Sequence, residues 1–176
     1  MGIRIAGIVA ALALVASAAG AQQSASNPVS NSIRRMARGF GRNIVSAAES
    51  MPADKWGFKP TPEVMSFGEI MAHIADDNGI SCGGIAGAGA KAPVVPKSTD
   101  SRDQVISGLK ASFAFCDSTL AKIDDSQMGK SVSYYGSPAP MGAIVLGLAN
   151  DWGSHYSQSA VYLRLNKILP PTARKK

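Results

Sequence analysis

A long helical pattern near the C-terminus constrains the fold more than any other feature of this sequence. Residues on one face of a helix recur at alternating steps of three and four, and residues 144–169 follow this rule. The apolar positions are Ile144, Leu148, Tyr162, Leu165 and Leu169. Three polar residues, Asp151, His155 and Gln158, interrupt the apolar face in register. The pattern therefore predicts one amphipathic helix with polar groups on its inner face.

Two of these polar residues are four positions apart. Asp151 and His155 therefore project from adjacent turns on the same side of the helix. A carboxylate and an imidazole on a buried face need partners, because an unpaired buried charge is energetically costly. Either they are hydrogen-bonded within the core, as a lone histidine on an apolar face more often is, or they hold a cation together.

The first 21 residues predict a signal peptide. Arg4 supplies a positive charge, residues 5–15 are apolar, and residues 19–21 (Ala-Gly-Ala) match a small-x-small cleavage site. The apolar part is shorter than the roughly 20 residues of a membrane-spanning helix, and no Cys follows the cleavage site, as a bacterial lipid anchor would require. We therefore expect an exported protein, periplasmic or secreted, that begins near Gln22 and has no membrane span.

The remaining chain has the composition of one globular domain. The sequence is 45% hydrophobic and 17% charged, and about 155 residues suffice for a single core. Its net charge of +6 becomes +5 when Arg4 is removed. Arg34, Arg38 and Arg42 share a face of the first predicted helix, which we interpret as solvated. They lack the interleaved aromatic residues of a nucleic-acid-binding surface, so we expect no nucleic-acid partner.

Four segments predict helices, separated by loops rich in Gly and Pro. The first covers residues 31–51, and the third covers residues 101–123. Capping boxes open the second at Ser66-x-x-Glu69 and the third at Ser101-x-x-Gln104. Residues 81–99 and 129–140 are predicted loops, the latter with a short extended piece, and a proline at its end suits the first turn of the fourth helix.

No segment has a convincing strand pattern, so the four helices predict an all-α four-helix bundle over residues 31–171. A polar spacer, residues 22–30, precedes the bundle, and a basic tail, residues 172–176, follows it.

The second predicted helix repeats the polar interruption of the fourth. Its inward positions are Phe67, Ile70, His73, Asp77 and Ile80. The two histidines of the chain, His73 and His155, therefore both fall on inner faces, where bundles build their ligand sites. Asp77 is a further ligand, an acceptor for the ring N–H of His73, or a helix-surface acid beside Asp76. The last arrangement is the commoner one.

The two cysteines suit an exported protein. Cys82 is expected at the end of the second helix and Cys116 within the third. An even number of cysteines in this compartment favours a disulfide, which would contribute about 3–4 kcal/mol in the chain-entropy description. Two buried thiols, or a Cys nucleophile paired with His, are the alternatives.

Several segments of the chain resemble the DinB-like family of four-helix-bundle metal proteins. Residues 47–78 (AAESMPADKWGFKPTPEVMSFGEIMAHIADDN) are similar to the first half of that family, and residues 155–171 (HYSQSAVYLRLNKILPP) are similar to its end. Residues 111–120 (ASFAFCDSTL) also match. The resemblance covers most of the mature chain and points to the exported branch. It implies a divalent metal, commonly zinc or nickel, held by a His on the second helix and a His-x-x-x-His pair on the fourth.

The resemblance carries over to particular residues. His73 matches the ligand on the second helix and His155 matches the last ligand, whereas Asp151 stands where the family has the other His. Aspartate binds Zn²⁺ and shifts the preference towards harder ions such as Mn²⁺. Three protein ligands leave a position open for water, as in catalytic zinc sites, and Gln158 is placed to orient that water or His155.

Two functions follow from this resemblance. One is a metal-dependent hydrolase or transferase that acts on an unidentified small molecule, with no catalytic residue assigned. The alternative is a non-catalytic bundle that binds a metal or a small ligand and has a degenerate metal site. Relatives are often dimeric, so a homodimer is a possible assembly.

Overall fold

The computed structural model describes residues 27–174, and they form a four-helix bundle. The helices are α1 (Pro28–Ser50), α2 (Phe67–Ala86), α3 (Arg102–Leu120) and α4 (Met141–Leu165). Short 3-10 turns occupy Ala53–Lys55, Asp125–Gln127 and Pro171–Ala173. The all-α four-helix bundle predicted from the sequence is confirmed. The predicted signal peptide, most of the polar spacer and the last two residues of the tail lie outside the described residues.

A small antiparallel hairpin is added to the four helices. Strand β1 (Ser131–Tyr134) pairs with β2 (Ser137–Pro140) in the connection between α3 and α4, where only a short extended piece was predicted. Tyr135 and Gly136 form the two-residue turn, with φ of 48° and 79°. Positive φ at both positions is the geometry of a type I′ turn, whose twist matches that of the paired strands.

Several helix boundaries differ from the prediction, those at the start of α1 and the end of α2 among them. Helix α1 begins at Pro28 rather than Asn31, because proline is well suited to the first helical turn. Helix α2 continues to Ala86, six residues into the segment predicted as a loop, and is terminated by Gly87, whose φ is 86°. The hairpin explains part of this extension, since it packs against the last turns of α2: a Cβ at Gly84 would overlap the backbone oxygen of Ser133.

Both predicted capping boxes are present. Ser66 Oγ accepts the backbone N–H of Glu69, and the Glu69 carboxylate accepts the N–H of Ser66 at 2.6 Å. Ser101 and Gln104 make the same reciprocal pair at the start of α3. Each box satisfies backbone donors that a helix start otherwise leaves without partners.

The start of α1 is capped by a side chain from the segment that follows α3. The Asp125 carboxylate accepts the backbone N–H groups of Val29 and Ser30, at 3.0 and 2.8 Å, at the start of α1. In return, Asn27 Oδ1 accepts the N–H of Asp125. Arg34, expected on a solvated face, instead donates to the carbonyls of Leu120 and Ile123 at the end of α3. These bonds, here called the α1–α3 latch, fix the start of one helix against the end of another.

The core lies between the four helices, and α4 supplies its largest side chain. Trp152 is fully buried, and its Nε1 donates to Asn78 Oδ1 of α2 at 2.7 Å. Ile144, Leu148 and Tyr162 are buried as predicted. Leu165 and Leu169 were expected on the same face but are 55% and 63% exposed. Leu165 is still in α4 but lies two positions after the fully buried Leu163, so it points to another side of the helix. Leu169 lies beyond the end of α4, after the chain turns at Lys167, whose φ is 61°.

The expected disulfide joins α2 to α3. Cys82 lies within α2, not at its end, and its Cα is 5.3 Å from that of Cys116. Both residues are buried, so the bridge crosses the interior of the bundle.

Within residues 27–174, no helix combines the length and the apolar character that a bilayer crossing requires.

Candidate metal centre

Helices α2 and α4 bring four ionisable side chains to one point in the bundle. His73 and Asp77 come from α2, and Asp151 and His155 come from α4. One potential ligand atom from each of the four lies within 4.8 Å of the others. The two imidazole rings meet edge to face, with centroids 4.9 Å apart. The three residues singled out from the sequence are therefore together, and Asp77 joins them.

The i, i+4 spacing on each helix sets the local geometry, because residues four apart are neighbours on a helix surface. On α2, His73 Nε2 lies 3.1 Å from Asp77 Oδ2. On α4, His155 Nε2 lies 3.1 Å from Asp151 Oδ1. Each helix thus contributes one imidazole and one carboxylate, and the two pairs face each other across the bundle.

The side chains of the cluster differ in their exposure to solvent. The side chain of His155 is 11% exposed and that of Asp77 is 14% exposed, whereas His73 is 39% exposed. A surface depression of about 310 Å³ includes His73 and Asp76 in its wall. Solvent and small solutes therefore reach the cluster past His73.

A glutamine orients the buried histidine. His155 Nδ1 lies 2.8 Å from Gln158 Oε1, so an N–H on Nδ1 directs Nε2 towards the cluster. The sequence analysis placed Gln158 on the inner face to orient a water or His155; the residue is in fact exposed, and it reaches His155 from the rim of that face. The backbone carbonyl of His155 accepts from Ser159 Oγ at 2.7 Å, which further fixes this turn of α4.

The other outer partner was not found from the sequence. The hydroxyl of Tyr135, at the hairpin turn, donates to Asp77 Oδ1 at 2.6 Å. This bond raises the pKa of Tyr135 well above its usual value, with smaller contributions from burial and the nearby charges of the Asp77 and Asp76 carboxylates. Asp77 consequently lies inside the cluster, and it is Asp76 that occupies the exposed surface position.

Both ring nitrogens of His155 face oxygen acceptors, Gln158 Oε1 and Asp151 Oδ1. The hydrogen bond with Asp151 raises the pKa of His155; burial opposes this effect, and the bond with Gln158 supports it. With an N–H on Nδ1 donated to Gln158, the lone pair of Nε2 faces the Asp151 carboxylate, and a positive group is needed between them. A proton or a metal cation satisfies this requirement.

One oxygen of the cluster lacks any partner in the described part of the chain. Asp151 Oδ2 is buried and makes no hydrogen bond. Leaving a buried carboxylate oxygen unpaired costs free energy comparable to its full desolvation. Two imidazoles and two carboxylates are a donor set that suits Zn²⁺, Ni²⁺ or Mn²⁺. The residues present therefore fit a divalent cation.

A larger cavity adjoins the cluster without including its four ionisable residues. It has a volume of about 630 Å³ and lies between the glycine-rich end of α2 and the hairpin. Lys130 and Tyr135 are among its lining residues. Tyr135 is thus shared between this cavity and the cluster.

The chain is similar in sequence and in fold to proteins of a known superfamily. A sequence model of the DinB superfamily matches residues 38–159. A DinB-like protein from Bacillus subtilis superposes with a TM-score of 0.62 at 14% identity, covering 82% of this chain and 99% of the other. A DinB-like protein from Bacillus cereus ATCC 10987 superposes with a TM-score of 0.59 at 16% identity, covering 75% and 89%. No curated protein matches the sequence significantly.

Proposed function

We propose, from the premise that this chain belongs to the DinB superfamily, that it is an exported protein that binds a divalent metal through His73, Asp151 and His155. The observation that carries the proposal is the buried oxygen Asp151 Oδ2, which has no hydrogen-bond partner within residues 27–174 although it lies in a cluster of two imidazoles and two carboxylates. A divalent cation would supply the missing partner. Zinc or nickel is expected, and the carboxylate content also suits manganese.

The protein's own groups would prepare this site for a cation. Gln158 Oε1, 2.8 Å from Nδ1, favours the tautomer in which His155 Nε2 keeps its lone pair for a cation. Asp151 balances positive charge beside it, and the fully buried Trp152 fixes the adjacent position of α4. When bound, such a metal acts as a Lewis acid towards water or a carbonyl or phosphoryl oxygen.

An enzymatic role, as a metal-dependent hydrolase or transferase, is supported by the open path from solvent to the cluster. The depression of about 310 Å³ beside His73 would allow a small molecule to approach the metal. Asp76 and Glu69 also line it, but Glu69 is hydrogen-bonded to Ser66 and paired with Lys59 at 3.1 Å. Asp76 is therefore the better placed group for proton transfer.

The rival function is a non-catalytic bundle with a degenerate site. It is favoured by the presence of Asp151 where the family resemblance leads to a histidine, since the shorter side chain reaches less far into the cluster. Metal content separates the two cases more directly than a search for substrates.

The test is the metal content of the protein, purified without a histidine tag, together with that of His155→Ala and Asp151→His. We expect near-stoichiometric divalent metal by elemental mass spectrometry in the parent and a background level in His155→Ala. A parent without metal that gains it in Asp151→His would contradict the proposal and establish the degenerate site.

Export is tested separately. The full chain is expressed with its N-terminal segment, and the mature protein is recovered from outside the cytoplasm and analysed by intact mass. We expect a chain that begins near Gln22. A cytoplasmic protein that retains residues 1–21 would contradict the export part of the proposal and leave the metal part unaffected.

A further inference from the structure

The hairpin reaches the cluster through a single side chain. Tyr135 donates its hydroxyl to Asp77 Oδ1 at 2.6 Å, a distance typical of a hydrogen bond to an ionised carboxylate. The other oxygen, Asp77 Oδ2, lies 3.1 Å from His73 Nε2, inside the cluster. One oxygen of Asp77 is thus held from outside, and this directs the second oxygen inwards.

We propose that Asp77 is a fourth protein ligand of the metal and that Tyr135 positions it, so that the hairpin is part of the metal centre. This inference rests on the proposed metal-binding function and adds the ligand that decides how many coordination positions remain open.

The position of Tyr135 is set by the backbone rather than by burial, since the residue is 61% exposed. Its φ of 48° belongs to the tight turn, and Gly136 completes the turn with a φ of 79°. The ring also contacts Tyr134 edge to face, with centroids 4.7 Å apart. The hairpin rests on α2 at Gly84, where only glycine allows the approach. These contacts fix the hydroxyl relative to the helix that carries Asp77.

A fourth ligand changes what the site can do with each metal. Zinc in proteins is usually four-coordinate, and structural zinc sites have all four positions filled by the protein, whereas catalytic sites keep one open. His73, Asp77, Asp151 and His155 together would fill a tetrahedral zinc site. An ion that prefers six ligands, such as Mn²⁺, would keep two positions free. Asp77 therefore couples metal identity to whether an exogenous molecule can bind.

The first experiment measures Zn²⁺ affinity of the full chain by competition with a chromophoric chelator. Asp77→Asn removes the charge with little change in size, and Tyr135→Phe removes only the hydroxyl. Asp76→Asn and Tyr134→Phe are matched controls on the neighbouring residues. We expect a loss of more than about 100-fold for Asp77→Asn, a loss of about 10–100-fold for Tyr135→Phe, as for other partners of metal ligands, and no loss in the controls.

The second experiment uses Co²⁺ in place of Zn²⁺ and titrates azide as a small probe ligand. The visible spectrum of Co²⁺ changes when azide enters its coordination sphere. We expect azide to leave the spectrum of the parent unchanged and to alter that of Asp77→Asn, because the loss of the carboxylate opens a position. Circular dichroism of each variant confirms that the helices are intact.

The outcomes distinguish this inference from the function on which it rests. A parent that binds no metal overturns both. Metal binding that is lost in His155→Ala but is the same in Asp77→Asn as in Asp76→Asn overturns the fourth ligand and leaves the proposed function in place. An effect of Asp77→Asn without any effect of Tyr135→Phe overturns the role of the hairpin.

Discussion

At the scale of single residues, the cluster depends on which atom of each imidazole faces inwards. His155 presents Nε2 because Gln158 Oε1 lies 2.8 Å from Nδ1. A histidine without such a partner interconverts between tautomers and ring orientations, and only some of these present a lone pair to a cation.

Replacing Gln158 by Leu should therefore weaken metal binding without disturbing the helix. The change removes the amide that orients His155 and keeps a similar volume. We expect about 10–100-fold weaker affinity, measured by chelator competition, while Ser157→Ala on the exposed face of α4 serves as control. Unchanged affinity in Gln158→Leu would show that the ring of His155 is held by other contacts.

The sequence predicts some of these residues and cannot predict others. His73, Asp151 and His155 were found because helical periodicity places them on inner faces, and that information is local. Tyr135 was missed because it lies 58 residues from Asp77 along the chain and the two meet only when the hairpin packs on α2. Whether Asp77 points inwards depends on the same packing, so its role stayed open.

At the scale of elements, the hairpin was missed because the sequence of its second strand is not typical of a β-strand. In β2, Pro138 pairs with Ser133, and Pro140 pairs with Ser131. Proline lacks the N–H that a ladder requires, so a segment with two prolines favours a loop. The pairing is stabilised by the Tyr135–Gly136 turn, and two strands suffice because the hairpin rests on a helix.

The contact between the hairpin and α2 gives a prediction with a built-in control. A methyl group at Gly84 would overlap the Ser133 backbone oxygen, whereas one at Gly83 would meet no atom within 4 Å. Gly84→Ala should therefore displace the hairpin and lower the unfolding free energy by about 1–3 kcal/mol. Gly83→Ala should raise it by up to about 1 kcal/mol, because alanine is the better helix former. Urea unfolding measures both, and equal stability of the two variants would contradict the packing.

At the scale of the whole molecule, the helix order and the bundle were accessible from four periodic segments and their capping boxes. The contacts that lock the bundle were not, with the exception of the disulfide. The α1–α3 latch joins Asn27 to Asp125, which are 98 residues apart, and neither residue stands out from the sequence. Long-range polar contacts of this kind depend on the packed arrangement and leave no periodic signal.

The disulfide between Cys82 and Cys116 should be a large contributor to global stability. It encloses a segment with a sequence separation of 34, for which the chain-entropy description gives about 3–4 kcal/mol. We expect the double variant Cys82→Ala and Cys116→Ala to lose about this much unfolding free energy in urea. A thiol reductant should destabilise the parent and leave the double variant unchanged; stability that is insensitive to both would contradict a structural role for the bridge.

The disulfide and the α1–α3 latch join three of the four helices and leave α4 out. The disulfide joins α2 to α3, and the latch joins α3 to α1, so these three helices are held in series by directional bonds. Helix α4 meets them through packing and through contacts such as Trp152–Asn78, and it carries half of the metal cluster. Helix α4 is thus retained by noncovalent contacts, chiefly the packing of its buried face around the fully buried Trp152. A cation held between α2 and α4 would tie α4 to the disulfide-linked pair, so its loss should weaken the attachment of α4 more than that of the other helices.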